Sequence, residues 1–217
     1  MTSKAIINIE NSTIEESIKF NIIYDLLNDK HVIIELVTNA QLLLKYYDFI
    51  KIDNKQYLLS YILNKCQIKE NDDVHELIKK LINCCDILKR SKKFGTPAIQ
   101  ILRQKSFIFD MFYEKNNNIL NFQNHISMHV YHFIDELASN ELFEHILNKI
   151  PDFDYSIITN LSTSKQQILQ NFQNKAKNNI NEQLKEMTNK YNNLLEKYNL
   201  MEKQINDIKV LFNTINE

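Results

Sequence analysis

Apolar residues along this chain recur at intervals of three and four, the spacing of one face of a helix. Ser12 and Thr13 each have a glutamate three residues on, Glu15 and Glu16, a capping-box start, and Ile14, Ile18, Ile22 and Leu26 follow at helical spacing. The pattern predicts a first helix over 14–28. It resumes after Asp29-Lys30 across 31–50 through Ile34, Val37, Leu42, Leu44 and Phe49. Leu58, Leu59, Ile62 and Leu63 predict a helix over 55–67, and Leu77, Leu81, Cys84 and Leu88 one over 73–91. Phe94-Gly95-Thr96-Pro97 then reads as a stop and a restart, with glycine ending one helix in the left-handed region and proline in the first turn of a helix over 97–115. In that helix Phe107, Ile108, Phe109, Met111, Phe112 and Tyr113 point in nearly every direction, which predicts a central position in a core. Further helices are expected over 119–138 and 140–149, the latter stopped by Pro151.

The longest pattern comes last. Thr163 with Gln166 and Ser164 with Gln167 repeat the capping signature, and no glycine or proline follows. From there apolar residues fall at Ile180, Leu184, Met187, Tyr191, Leu194, Tyr198, Met201, Ile205, Ile208, Phe212 and Ile215, alternately four and three apart. That is a coiled-coil seam with Leu184, Tyr191, Tyr198, Ile205 and Phe212 at a and the others at d. Leu195 at e and Leu211 at g widen it. Large aromatics fit poorly into a two-stranded a layer, so the face suits three or more helices, a heteromeric partner in a hetero-oligomer, or docking along another protein. Upstream, Leu169, Phe172, Ala176 and Ile180 are spaced 3-4-4, so the register shifts near Ala176.

The expected architecture is all-α: a helical head domain over 1–160, either a helical bundle or a short HEAT-like α-solenoid, then a coiled-coil helix over 164–217. The solenoid alternative rests on helix starts near 14, 55 and 97, spaced by the period of HEAT-type helix pairs. Composition supports the helical reading. Gly95 is the one glycine in 217 residues, which removes P-loops, dinucleotide fingerprints and nucleophile elbows, all of which need glycine backbone freedom. The 29 asparagines and 31 isoleucines are what A/T-rich codons specify, so runs such as Asn116–Asn118 carry no functional weight.

Charge and cysteine usage narrow the function classes. Lys+Arg 26 against Asp+Glu 27 makes neither part a polyelectrolyte, and Arg90 and Arg103 are the only arginines, so sequence-specific nucleic-acid binding is disfavoured. Three cysteines, Cys66, Cys84 and Cys85, form neither a disulfide framework nor a CxxC knuckle and fit a reducing compartment. Cys84 is expected to be buried and Cys85 more exposed. With no apolar stretch of membrane-spanning length, a cytoplasmic protein without membrane insertion is expected.

Two clusters offer chemistry. His125, His129, His132 and Glu136 would share one face of a helix over 119–138 and offer nitrogen and carboxylate ligands, with His145 or Glu141 as a possible closing ligand. The pattern is not a recognised zinc signature, and Ile126, Val130, Phe133 and Leu137 make these histidines the polar flank of an amphipathic helix. Lys89-Arg90-Ser91-Lys92-Lys93 is a basic cluster able to act as a nuclear localisation segment or phosphate contact, or simply to complement a helix C-terminus. The leading expectation is a non-enzymatic adaptor or assembly subunit that oligomerises or docks through its coiled coil, with no metal and no cofactor. The alternatives are a metal-dependent helical-bundle enzyme using the histidine face and a nucleic-acid-associated factor using 89–93.

Overall fold

The computed structural model describes residues 3–123 and 128–215. The fold is all-α and multi-helical, and among the described residues it contains no sheet or barrel, only two isolated bridges, Ser91 with Gly95 and Gln123 with His129. The chain divides into one compact unit up to Lys165 and a second from Gln166 onward.

The first unit begins with a helix outside the predicted set, α1 (Ser3–Glu10), followed by α2 (Glu16–Leu26). The capping box at Ser12 and Thr13 does not form, since Ser12 Oγ donates back to the Ile9 carbonyl and α2 starts at Glu16 without a side-chain cap. The expected 31–50 helix is broken into α3 (Lys30–Glu35), a 3₁₀ turn, α4 (Ala40–Lys45) and another 3₁₀ turn. Asp29 caps α3 by accepting from the His31 amide. Then come α5 (Ile52–Lys65) and α6 (Asp73–Cys84), the latter capped by Asp72, whose carboxylate accepts from the His75 amide at 2.8 Å. α3 and α4 pack on α5 and α6 respectively, and α5 packs on α6. This is helix-on-helix packing compatible with a bundle or a loose solenoid.

The stretch expected to be one helix over 97–115 is α7 (Pro97–Gln100), a 3₁₀ turn over Ile101–Arg103, and α8 (Ser106–Lys115). Proline does occupy the first turn of α7, whereas Thr96 makes no side-chain cap. Ile108, Phe109 and Phe112 of α8 are fully buried, while Phe107, Met111 and Tyr113 are half-buried. The expected 119–138 helix does not form in its described part: a 3₁₀ turn covers Ile119–Asn121, another Val130–Phe133, and α9 spans only Ile134–Leu137. α10 (Asn140–Lys149) is capped by Ser139.

A chain with one glycine needs other means of satisfying the open carbonyls at helix C-termini. Here side-chain donors from elsewhere in the sequence do it. Asn54 Nδ2 donates to the Leu27 and Asn28 carbonyls at 3.2 Å each, Gln104 Nε2 to Leu63 O at 2.6 Å, and the Tyr155 hydroxyl to Ile146 O at 3.1 Å and Ile150 O at 2.8 Å. Lys115 Nζ reaches Ile82 O at the end of α6.

Candidate functional site

The second unit consists of the rest of α11 (Thr163–Ile215), a continuous helix of 53 residues and about 80 Å at 1.5 Å per residue. Asp135 gathers the residues around its start: its carboxylate accepts from the Ser162 amide at 2.8 Å, and the buried Lys165 ammonium donates to the Asp135 carbonyl at 2.8 Å. These contacts, led by the Ser162 amide, hold the Asp135 carboxyl below its ordinary range.

Along α11 the nine seam residues from Ile180 to Ile208 (Ile180, Leu184, Met187, Tyr191, Leu194, Tyr198, Met201, Ile205, Ile208) are 53–67% exposed. Phe212 and Ile215 continue the register on the same helix, where only the backbone is described. Leu195 is 44% exposed beside them, and Leu200, at a c position the heptad reading omitted, is 59% exposed. Contiguous exposed apolar patches of more than a few hundred Å² are uncommon on monomeric soluble proteins, and this ridge continues over four heptads. The b positions Asn192, Asn199, Asn206 and Asn213 make the far side polar.

The histidine face does not assemble as expected. His125 lies outside the described residues, and His129 precedes and His132 lies within a 3₁₀ turn rather than sharing a helix face with Glu136. His129 Nδ1 lies 2.6 Å from the Asn121 carbonyl, its Nε2 3.1 Å from Gln123 Nε2, and its backbone amide donates to His132 Nδ1 at 2.9 Å. These imidazoles are turn-building groups, with His129 stacked on Tyr131 at 5.0 Å. His145 sits elsewhere, paired with Asp110 at 2.8 Å. Among the described residues no three His, Cys, Asp or Glu side chains are placed to hold a metal ion.

The cysteines are reversed from expectation: Cys84 is exposed and Cys85 buried. α6 ends at Cys84, and Cys85 leaves it with extended backbone angles (φ −94°, ψ 150°), which turns its side chain inward. Burial pushes the Cys85 thiol up to about 12, so it is no thiolate near neutrality. Cys84 Sγ lies 2.9 Å from the Tyr47 hydroxyl.

Because α6 stops at Cys84, residues 89–93 are not at a helix C-terminus, and the dipole account of that cluster fails. Gly95 is left-handed, at φ 80°, but it closes a turn in which Ser91 and Gly95 exchange backbone hydrogen bonds of 2.9 Å each way. The turn brings Lys89, Arg90, Lys92 and Lys93 to a cleft they share with Lys30 and Tyr57, two residues distant in sequence that the reading of the chain had not joined to them. The first unit also exposes an aromatic cluster missed in the sequence, with Phe20 meeting Phe49 edge-on at 4.6 Å and Tyr24 stacked beside it at 6.4 Å.

Among the described residues no helix is long and apolar enough to cross a membrane. Scanning protein-family models and searching curated proteins and solved structures each gave no match to this chain.

Proposed function

We propose that this protein is a non-enzymatic assembly subunit, an adaptor of the cytoplasm, whose α11 self-associates with copies of the same chain as a parallel, in-register coiled coil of three or more helices. The observation that carries this reading is the ridge of nine seam side chains more than half exposed from Ile180 to Ile208. A second argument is intrinsic. α11 contains eleven asparagines and one alanine in 53 residues, and each asparagine disfavours helix by up to about 0.7 kcal/mol relative to alanine. A long helix of that composition draws its stability from packing of its apolar face.

Charge complementarity favours the second copy and the orientation. In a parallel, in-register arrangement each g position faces the e position five residues on in the neighbour, so Lys197 meets Glu202 at every interface. Antiparallel pairing with full overlap sets Lys197 against Lys197 instead. The aromatic a layers at Tyr191 and Tyr198, with Leu195 at e, supply the width for more than two strands.

Light scattering tests this on the intact chain, for which a mass of at least three times 25.8 kDa is expected. Leu194→Asp together with Met201→Asp should return the monomer with the head's thermal transition intact, because an unpaired carboxylate in a desolvated seam costs several kcal/mol. Ile208→Cys should give a reducible cross-link absent from the parent chain. In the antiparallel arrangement the two Ile208 positions lie about 36 Å apart along the axis and cannot cross-link. A monomeric parent chain would overturn self-association and leave the seam to a different partner.

A further inference from the structure

Residues 89–93 do not form a loose charged tail. Their loop is pinned at three points. At its base the buried Gln56 side chain of α5 makes two hydrogen bonds to Asp86, donating to its carbonyl at 2.7 Å and accepting from its amide at 2.8 Å. At its far end the Phe94 ring is buried between Tyr57, at 5.1 Å, and Tyr61, at 5.4 Å. Between them stands the Ser91–Gly95 turn, where φ of 80° favours glycine and a Cβ would push the Gln100 amide, 2.9 Å away, aside.

This frame presents a cleft of about 320 Å³ lined by Lys30, Lys89, Arg90, Lys92 and Lys93. Asp53 is the one carboxylate lining it, and it lies 3.2 Å from Lys89 Nζ. Lys30 Nζ stands 5.3 Å above the Tyr57 ring, which forms part of the wall. The four lysines, set against one lining carboxylate on a fixed backbone, repel one another, in a protein whose net charge is −1. An anion relieves that repulsion, and the prior fixing of the backbone reduces the ordering cost of binding it.

We infer that this cleft is a binding site for a compact, multiply phosphorylated small molecule, either free or as the headgroup of a lipid. The size selects the class. About 320 Å³ is at the small end of ligand pockets, enough for one ring or short chain bearing several phosphates, whereas a nucleic-acid duplex spreads its charge at about 1.7 Å per phosphate along a track. A localisation peptide read in extended form is disfavoured too, because the Ser91 and Gly95 backbone groups are committed to each other.

Calorimetric titration of the intact protein with inositol hexakisphosphate is the test, alongside inorganic triphosphate, a random-sequence DNA duplex, and vesicles with or without phosphatidylinositol bisphosphate. Saturable binding of one inositol hexakisphosphate per chain is expected, at least tenfold weaker in Lys30→Ala/Lys92→Ala/Lys93→Ala. These are exposed side chains, so the variant's unchanged thermal transition checks that it is folded. Asp53→Asn removes the opposing carboxylate and should tighten binding a few-fold, a gain that damage to the fold would not produce. Vesicle recruitment that soluble inositol hexakisphosphate competes away identifies a lipid source, and absence of recruitment a free one. Unsaturable binding, equal affinity in the triple variant, or tighter binding of the duplex than of the small phosphates overturns the inference.

Discussion

α6 and α11 are both amphipathic helices with apolar residues three and four apart, yet they end in opposite situations. In α6, Leu77, Ile78, Leu81 and Ile82 are at most 3% exposed, covered by α4 and α5. In α11 the equivalent ridge is exposed over nine residues, in a unit that holds no second helix. The periodicity of an apolar face reports that something must cover it, and says nothing about whether the cover comes from the same chain. α6 finds its cover within about forty residues of sequence. α11 finds none among the described residues of its own unit, and under the proposed self-association its cover comes from further copies.

If the two regions are stabilised separately, single changes should divide cleanly between them. Beside the seam double substitution, the largest effect on the head is expected from Phe112→Ala, a fully buried ring, whose loss should lower the head's stability by about 3–5 kcal/mol. Chemical denaturation followed with the mass from light scattering checks the contrast: the head weakens while self-association persists. Loss of both together would show that the two regions fold as one.

A smaller effect is expected at Gly95. Alanine there meets Gln100 Nε2 at 2.9 Å in a left-handed backbone, and about 1–2 kcal/mol of head stability should be lost, again with no change in assembly mass.

The next prediction uses pH. Glu10 is held below the ordinary carboxylate range, chiefly by its hydrogen bonds to Lys45 and Tyr46. A carboxyl depressed in the folded state contributes stability that is present above its unfolded pKa and is lost as pH falls through the folded value. Head stability should therefore decline as pH drops from about 5 toward 3, and Glu10→Gln should flatten that decline. An unchanged slope in Glu10→Gln would assign the acid sensitivity to other carboxylates, Asp135 first among them.

The smallest effect belongs to the tail. Lys197→Glu should weaken self-association by about 0.5 kcal/mol or less per facing pair, and Glu202→Lys added to it should restore the parent value. Dissociation followed by dilution measures both. Failure of the double variant to recover would remove the charge argument for parallel, in-register copies while leaving the apolar ridge in place.

The course of α11 was legible because its determinants are local and repeated, with no glycine or proline after Thr163 and an apolar three-four spacing from Ile180 to Ile215. The helix already begins at Thr163, so the expected caps at Thr163 and Ser164 fall inside it. The all-α class followed as directly from one glycine and a pervasive helical period. α10 was also readable, its bounds Asn140–Lys149 coinciding with the expected 140–149. The sequence misled where a continuous apolar pattern was cut by tertiary packing. The 31–50 and 97–115 stretches keep helical spacing, but 3₁₀ turns at Leu36–Asn39 and Ile101–Arg103 re-aim successive segments. The reversal of Cys84 and Cys85 has the same origin, because one residue beyond a helix end the face rule no longer applies.

Residues 89–93 show the division most plainly. The sequence determined that five consecutive positions carry four cations and that a lone glycine follows. Only the tertiary structure decided that this segment is a pinned turn, through Gln56 on Asp86 and Phe94 between two tyrosines, and that Lys30 joins it from 59 residues before Lys89. Local rules see the chain a few residues at a time, whereas a cleft is made by parts that meet only when the core brings them together.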